Sequence, residues 1–295
     1  MKSNAPTVDI DPSAGFCSGV KRAIRMAEDH LGKPDEMLCL GELVHNEAEM
    51  ERLRGLGLNV IDLEGIVPEG KHIFIRAHGE PPETFRKIAE NMDQFIDATC
   101  PVVLRLQRKV GESSKMLRNN GKVVLFGKSG HPEIVGLVGQ TCGNVQVVGN
   151  ILEAEALDIR EPMHFYAQTT ADQEKYSQFC EFIRNEALRE VGTIDHLLFE
   201  NSICQQVSRR APSIKDFAAS HDIVIFVSGS KSSNGRFLAG IAQNINPRTY
   251  VVSNAEEVGD WFESTDKIGI SGATSTPLWL LEKVANQIRI KFEVK

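Results

Sequence analysis

GKVVLFGKSGHPEIVGLV (residues 121–138) shows the unit from which the chain is built. Val123 to Phe126 form an unbroken apolar run, the pattern of a short strand covered on both faces. Gly127 to Gly130 make a small polar turn. Pro132 and Glu133 then suit the first turn of a helix, where a missing N–H costs nothing and a carboxylate faces the positive end of the helix.

Outward from this stretch, the same succession of apolar run, polar turn and amphipathic segment recurs. Strands are expected at Val8 to Asp11, Met37 to Leu40, Ile73 to Arg76, Phe95 to Asp97, Val145 to Val148, Phe165 to Ala167, Leu197 to Phe199, Ile223 to Val227, Tyr250 to Val252 and Ile268 to Ile270. Helical spacing follows at Val20, Ile24, Ala27 and Leu31, and again at Val103, Leu106, Val110 and Leu117. The alternation predicts an α/β protein with parallel sheets. There is no low-complexity tract or long Gly/Ser linker, so breaks are expected near residues 100 and 200. That gives modules over 1–100, 101–200 and 201–295, with Cys100 at the first junction.

Composition narrows the function. The chain has 295 residues, 41% hydrophobic and 25% charged, with a formal net charge of -7. A negative chain without a basic, aromatic-interleaved run excludes nucleic acid as the expected partner. The opening MKSNAPTVDIDPS has no basic-then-apolar leader, and no stretch approaches the ~20 apolar residues of a bilayer span. A cytoplasmic location and no membrane partner are expected, and in that reducing compartment the six cysteines are not read as disulfides.

Nearly every apolar run ends in a turn carrying His, Ser, Thr, Asn or Cys: GELVHNE, IRAHGEPP, DATCP, GKSGHPE, AQTT, NSIC, SGSKSSN and SGATSTP. Ligands of parallel α/β sheets bind beyond the carboxyl ends of the strands, so these turns are read as one edge of one site. Three thiols share a setting. GFCSGV, DATCPVV and NSICQQV each place a Cys (Cys17, Cys100, Cys204) at the start of a helical segment, where the thiolate form is favoured. Module three is less regular, because Pro212 divides its helical segment. Widely separated thiols without a C-x-x-C pair disfavour a zinc ribbon, and three thiolates on a cubane cluster would leave one iron open. The plain alternative is buried apolar cysteine, the reading adopted for Cys39 and Cys180; Cys142 is placed in a turn before Gly143, and none of these three is assigned chemistry.

His45, His78 and His131, with Ser232, Ser233, Asn234 and Ser275, offer many hydrogen-bond donors and little fixed charge, which suits a small phosphorylated ligand. Neither GxxxxGK[ST] nor GxGxxG opens a helix, so no nucleotide is indicated. Surface, capping and turn roles are the plain alternatives for these residues. His30, His72, His164, His196 and His221 are read as structural. Glu133 could deliver a proton or be an ordinary helix-start carboxylate, and Thr169 or Thr170 could relay one.

Taken together, GFCSGV, LVHNE, AHGEPP, DATCP, GHPEIVG, AQTT, SICQQVS, SKSSN and SGATSTP resemble, in order and from residue 15 to about 277, the 4-hydroxy-3-methylbut-2-enyl diphosphate reductase family, also called IspH or LytB. The resemblance implies a pseudo-threefold trefoil of α/β modules around a four-iron four-sulfur cluster held by Cys17, Cys100 and Cys204, the fourth iron open to substrate. It implies that His45, His78, His131, Ser232, Ser233, Asn234 and Ser275 hold the diphosphate. Glu133, Thr169 and His131 would serve the chemistry, in which an allylic hydroxyl leaves as water. Isopentenyl and dimethylallyl diphosphate would be the products, with ferredoxin or flavodoxin as electron donor. In SGSKSSN the pair facing the ligand is assigned by its position next to Asn234, and the choice of Ser275 over Ser271 rests on motif position alone. A zinc-dependent hydrolase and a non-catalytic iron-sulfur carrier are the rival classes.

Overall fold

A computed structural model of the protein describes residues 6–32, 37–62, 72–91, 95–230 and 232–293; the side chain of Ser233 lies outside the described set. Its strands are Thr7–Ile10 (β1), Met37–Leu40 (β2), Asn59–Ile61 (β3), His72–Ile75 (β4), Phe95–Asp97 (β5), Lys122–Phe126 (β6), Val145–Val148 (β7), Met163–Ala167 (β8), Leu197–Glu200 (β9), Ile223–Val227 (β10), Thr249–Val252 (β11) and Lys267–Gly272 (β12). They form three four-stranded sheets, in the orders β3-β2-β4-β5, β7-β6-β8-β9 and β1-β12-β10-β11. The pairings with a described register are parallel, as in Leu125 opposite Tyr166 and Ile225 opposite Ile270. The chain is thus α/β with three parallel sheets.

The unbroken apolar runs are explained by helices on both faces of a sheet. Val124, Phe126 and Phe165 pack with Phe179 and Ile183 on one side of the β6–β8 pair. Val123, Leu125 and Tyr166 pack with Leu106, Val110 and Leu137 on the other. In the third sheet Ile225 and Ile270 pack with Leu281 and Val284, whereas Val224 and Phe226 face Ile214, Leu238 and Ala242. Truncating a side chain such as the fully buried Phe165 to Ala would cost about 3–5 kcal/mol. The Pro101–Met116 helix buries Val103, Leu106 and Val110 at the predicted spacing, and Pro212 sits in the first turn of the Arg210–Ala219 helix, after a separate short Gln205–Ser208 helix.

Strand order reveals a common plan. Numbering each module's strands along the chain, β2–β5 and β6–β9 both run second-first-third-fourth across the sheet. β10, β11 and β12 occupy the first three places of the same plan, and β1 fills the fourth. This differs from the expected division at residues 100 and 200, because the amino-terminal strand closes the carboxyl-terminal sheet through pairs such as Val8 with Ile268. One strand, β3, was not expected. Asn59 is exposed and Val60 and Ile61 are half-buried, so the segment lacks the apolar run of a central strand.

By internal packing the chain separates into two compact units, Met1–Glu36 with Gly41–Val60 and Arg209–Lys295, and Met37–Leu40 with Ile61–Ser208. Among the described residues, no helix is long and apolar enough to cross a membrane.

Candidate active site

The common plan sorts the singled-out residues into three equivalent loops. After the first strand of each module come His45, His131, and Ser232 with Asn234; after the third come His78, Thr169 and Ser275; after the fourth come Cys100, Cys204 and Cys17. All lie at carboxyl ends of parallel strands, where such sheets place ligands.

In the first unit, Cys17 is the extended N-cap of the Ser18–Glu28 helix. Its N–H donates to the Thr274 carbonyl at 3.3 Å, tying the thiol's loop to SGATSTP. Thr274 in turn donates through N–H and Oγ1 to Asn234 Oδ1, at 3.3 and 3.1 Å. Ser232 caps the Ser233–Ile245 helix by accepting from Gly235 N–H at 3.0 Å, and its Oγ lies 3.1 Å from Ser275 Oγ. At Gly229 the backbone lies flush against the His45 loop, since a Cβ there would sit 2.8 Å from the His45 carbonyl and 2.5 Å from Glu47 Oε2. Cys17, His45, Ser232, Asn234 and Ser275 are therefore carried on contacting loops.

Sequence reading missed what braces these loops. Arg210, 4% exposed, donates to Asp11 Oδ2 and Ser271 Oγ at 3.2 Å, to the Gly272 carbonyl at 3.0 Å, and to Ser13 Oγ. Ser271 Oγ also donates to Asp11, at 2.7 Å. Ser271 thus serves the brace, and Ser275 is the serine beside Ser232. An arginine at a helix start offers no local signal for a carboxylate and two strand ends so distant in sequence.

In the second unit, Cys100 is likewise the extended N-cap of the Pro101–Met116 helix, its side chain making no cap hydrogen bond, and its N–H donates to the Ala77 carbonyl at 3.0 Å. The neighbouring His78 ring meets His131 edge-on, centroids 5.4 Å apart. His131 is the N-cap of the Pro132–Val138 helix, and its Nδ1 accepts from Glu133 N–H at 3.1 Å. Glu133 is 1% exposed and not an open helix-start acid: its carboxylate accepts from Thr169 N–H at 2.6 Å and Thr169 Oγ1 at 2.7 Å. The Thr169 carbonyl accepts from Cys204 N–H at 2.9 Å. A contact sequence thus runs from Cys100 to Ala77, and from its chain neighbour His78 through His131, Glu133 and Thr169 to Cys204. Thr170 turns elsewhere, accepting from Gln168 Nε2.

Burial raises the Glu133 carboxyl above its ordinary range, and the two Thr169 hydrogen bonds partly oppose that rise. Cys17, Cys100 and Cys204 are half-buried and form no disulfide. Cys39 is fully buried in β2, where desolvation pushes its thiol up to about 12, and burial likewise raises Cys180. Cys142 is exposed. Four histidines read as structural make plain local bonds: His30 to the Met26 carbonyl, His164 to Ser113, His196 to the Ile159 carbonyl and His221 to the Phe217 carbonyl.

Fold and loops define a three-module α/β protein with thiols, imidazoles and hydroxyls collected at strand ends. The chain belongs to the LytB protein family, whose model matches residues 8–289. It is 40% identical over 289 residues to a 4-hydroxy-3-methylbut-2-enyl diphosphate reductase of Bacteroides fragilis, covering 97% of this chain and 98% of that one. To the protein of that name from Porphyromonas gingivalis it is 44% identical over 287 residues, covering 96% and 98%. Among solved structures it resembles that of (E)-4-hydroxy-3-methyl-but-2-enyl diphosphate reductase, described as the terminal enzyme of the non-mevalonate pathway, at 33% identity and a TM-score of 0.73 over 97% of this chain and 99% of that one. The reductase of Plasmodium falciparum shares the fold, with a TM-score of 0.81 at 24% identity, over 96% and 87%.

Proposed function

We propose that this protein is an iron-sulfur reductase that removes the hydroxyl of (E)-4-hydroxy-3-methylbut-2-enyl diphosphate, yielding isopentenyl and dimethylallyl diphosphate. Two electrons and two protons enter, the allylic C–O bond breaks, a C–H bond forms and water leaves. The observation that carries the reading is the recurrence of one cysteine after the fourth strand of every module. The family and its relatives support the substrate.

Cys17, Cys100 and Cys204 fit a cluster by their chemistry. None of the three is in a disulfide, all are half-buried, and Cys17 and Cys100 are the N-cap residues of their helices. When bound, a four-iron four-sulfur cluster with an open iron supplies Lewis acidity and electrons at the hydroxyl. The remaining roles belong to the chain. His45, His78, His131, Ser232, Ser233, Asn234 and Ser275 donate hydrogen bonds to the diphosphate and fix its orientation.

Because His131 Nδ1 accepts the Glu133 N–H, neutral His131 carries its proton on Nε2 and presents a donor. Glu133 holds a proton at a pH where an exposed carboxyl would have lost it, and Thr169 Oγ1, in contact with it, relays that proton. A ferredoxin or flavodoxin supplies the electrons, in the cytoplasm.

The test is anaerobic reconstitution with iron and sulfide, followed by turnover with reduced methyl viologen and detection of both products. A colourless protein, or a brown one that leaves the substrate untouched, would sink the reading.

A further inference from the structure

We infer that the solvent face of the Pro101–Met116 helix, with the loop leading to Cys204, is the docking surface for an acidic one-electron carrier protein. The inference rests on the proposed reductase reading, which needs two electrons from outside and offers no dinucleotide fingerprint to take them as hydride. A carrier must therefore bring them singly, and its redox group must come close to the acceptor, since electron transfer slows steeply with distance.

The helix starts at Cys100, and along its exposed side stand Leu104, Arg105, Arg108, Lys109, Glu112 and Lys115. That is four cations against one carboxylate, on a chain whose formal net charge is -7. Arg105 and Arg108 take part in no ion pair among the described residues, so both charges face solvent. Lys109 is held by Glu200 at 2.6 Å. Beside this face runs a groove lined by Val102, Arg105, Lys109, Glu200, Asn201 and Cys204. It reaches one proposed cluster ligand and lies along the helix that begins at another. Leu104, 38% exposed, puts an apolar contact among the cations, the make-up of a small transient interface. A local basic face on an acidic protein steers an acidic partner to this spot and repels it elsewhere.

The occupant is a carrier with a negative surface around its redox centre. Each docking delivers one electron; the carrier is oxidised, and after two deliveries the allylic C–O bond has been reduced. Glu200 moderates the face by neutralising Lys109.

The experiment uses the reconstituted full-length protein with two donors: an acidic ferredoxin kept reduced, and reduced methyl viologen, a small cation that needs no docking surface. Arg105→Glu with Arg108→Glu should lower kcat/KM for the ferredoxin at least tenfold at low ionic strength. The loss should shrink at high salt, and turnover with methyl viologen should be unchanged. Glu200→Gln, which frees Lys109, should raise the ferredoxin rate about twofold. Equal losses with both donors, or no loss with ferredoxin, would overturn the docking surface. Failure of the wild-type protein with methyl viologen would strike the reductase reading instead. Docking would then be read from the Kd for oxidised ferredoxin, which the double variant should weaken at least tenfold, and an unchanged Kd would overturn it.

Discussion

The loops after β6 and β8 and the loops after β10 and β12 occupy equivalent places in modules of one plan, yet their chemistry differs. The former hold a buried acid, Glu133, gripped by Thr169 and set beside His131. The latter hold hydroxyls and an amide, Ser232, Ser275 and Asn234, with no carboxylate among them. One backbone plan thus carries an edge with a buried acid and an edge of uncharged hydrogen-bonding groups. The strand order is the same and the side chains differ, so substitutions should affect the two edges differently.

The largest effect should come from what the modules share. Cys100→Ser or Cys204→Ser should strip the iron-sulfur chromophore and abolish turnover, whereas Cys39→Ala should keep both and lose about 1 kcal/mol of stability to the lost buried volume. Iron and sulfide analysis separates the outcomes, and an intact cluster in both ligand variants would break the equivalence of the fourth-strand loops.

Next comes Glu133→Gln, expected to lower kcat about 10²- to 10⁴-fold with little change in KM. A second consequence concerns stability. Burial raises the folded-state pKa of Glu133, so the folded protein binds its proton more tightly than the unfolded chain. Its contribution is full below the ordinary carboxylate pKa and is lost as pH rises toward the folded value. Melting curves of Glu133→Gln should lack that decline; a parallel pH dependence in both proteins would show that Glu133 does not carry it.

Thr169→Val removes one of the two bonds that stabilise the Glu133 carboxylate. The carboxyl pKa should move further up, and the alkaline limb of the kcat–pH profile should move with it, while kcat falls about tenfold because the relay hydroxyl is gone. A limb displaced to lower pH would contradict this.

The smallest effects belong to the hydroxyl edge. Ser232→Ala should raise KM and cost about 1 kcal/mol, because Ser232 also caps its helix. Ser275→Ala should raise KM at nearly constant Tm. Equal Tm losses in the two would mean that capping does not distinguish them.

Much of this was legible from local pattern. Unbroken apolar runs such as Ile223 to Val227 announce strands covered on both faces, because only a two-sided core tolerates them. Cys100 before Pro101 announces a helix start, because the ring suits the first helical position. The nine ordered motifs carried the family. Other features were out of reach for definite reasons. β3 buries too little to leave a pattern, and Arg210 braces groups far from it in sequence.

Taken alone, the order of residues determined the α/β class, the elements flanking each turn and the types of side chain gathered there, since hydrophobic period and turn chemistry are local. Only the tertiary structure decided that β1 completes the sheet of β10 to β12, which makes Cys17 the counterpart of Cys100 and Cys204. It alone decided that Glu133 is buried against Thr169 rather than Thr170. Pairing across the length of the chain and desolvation of one carboxyl both depend on which distant surfaces come to exclude water, and no window of sequence contains both surfaces.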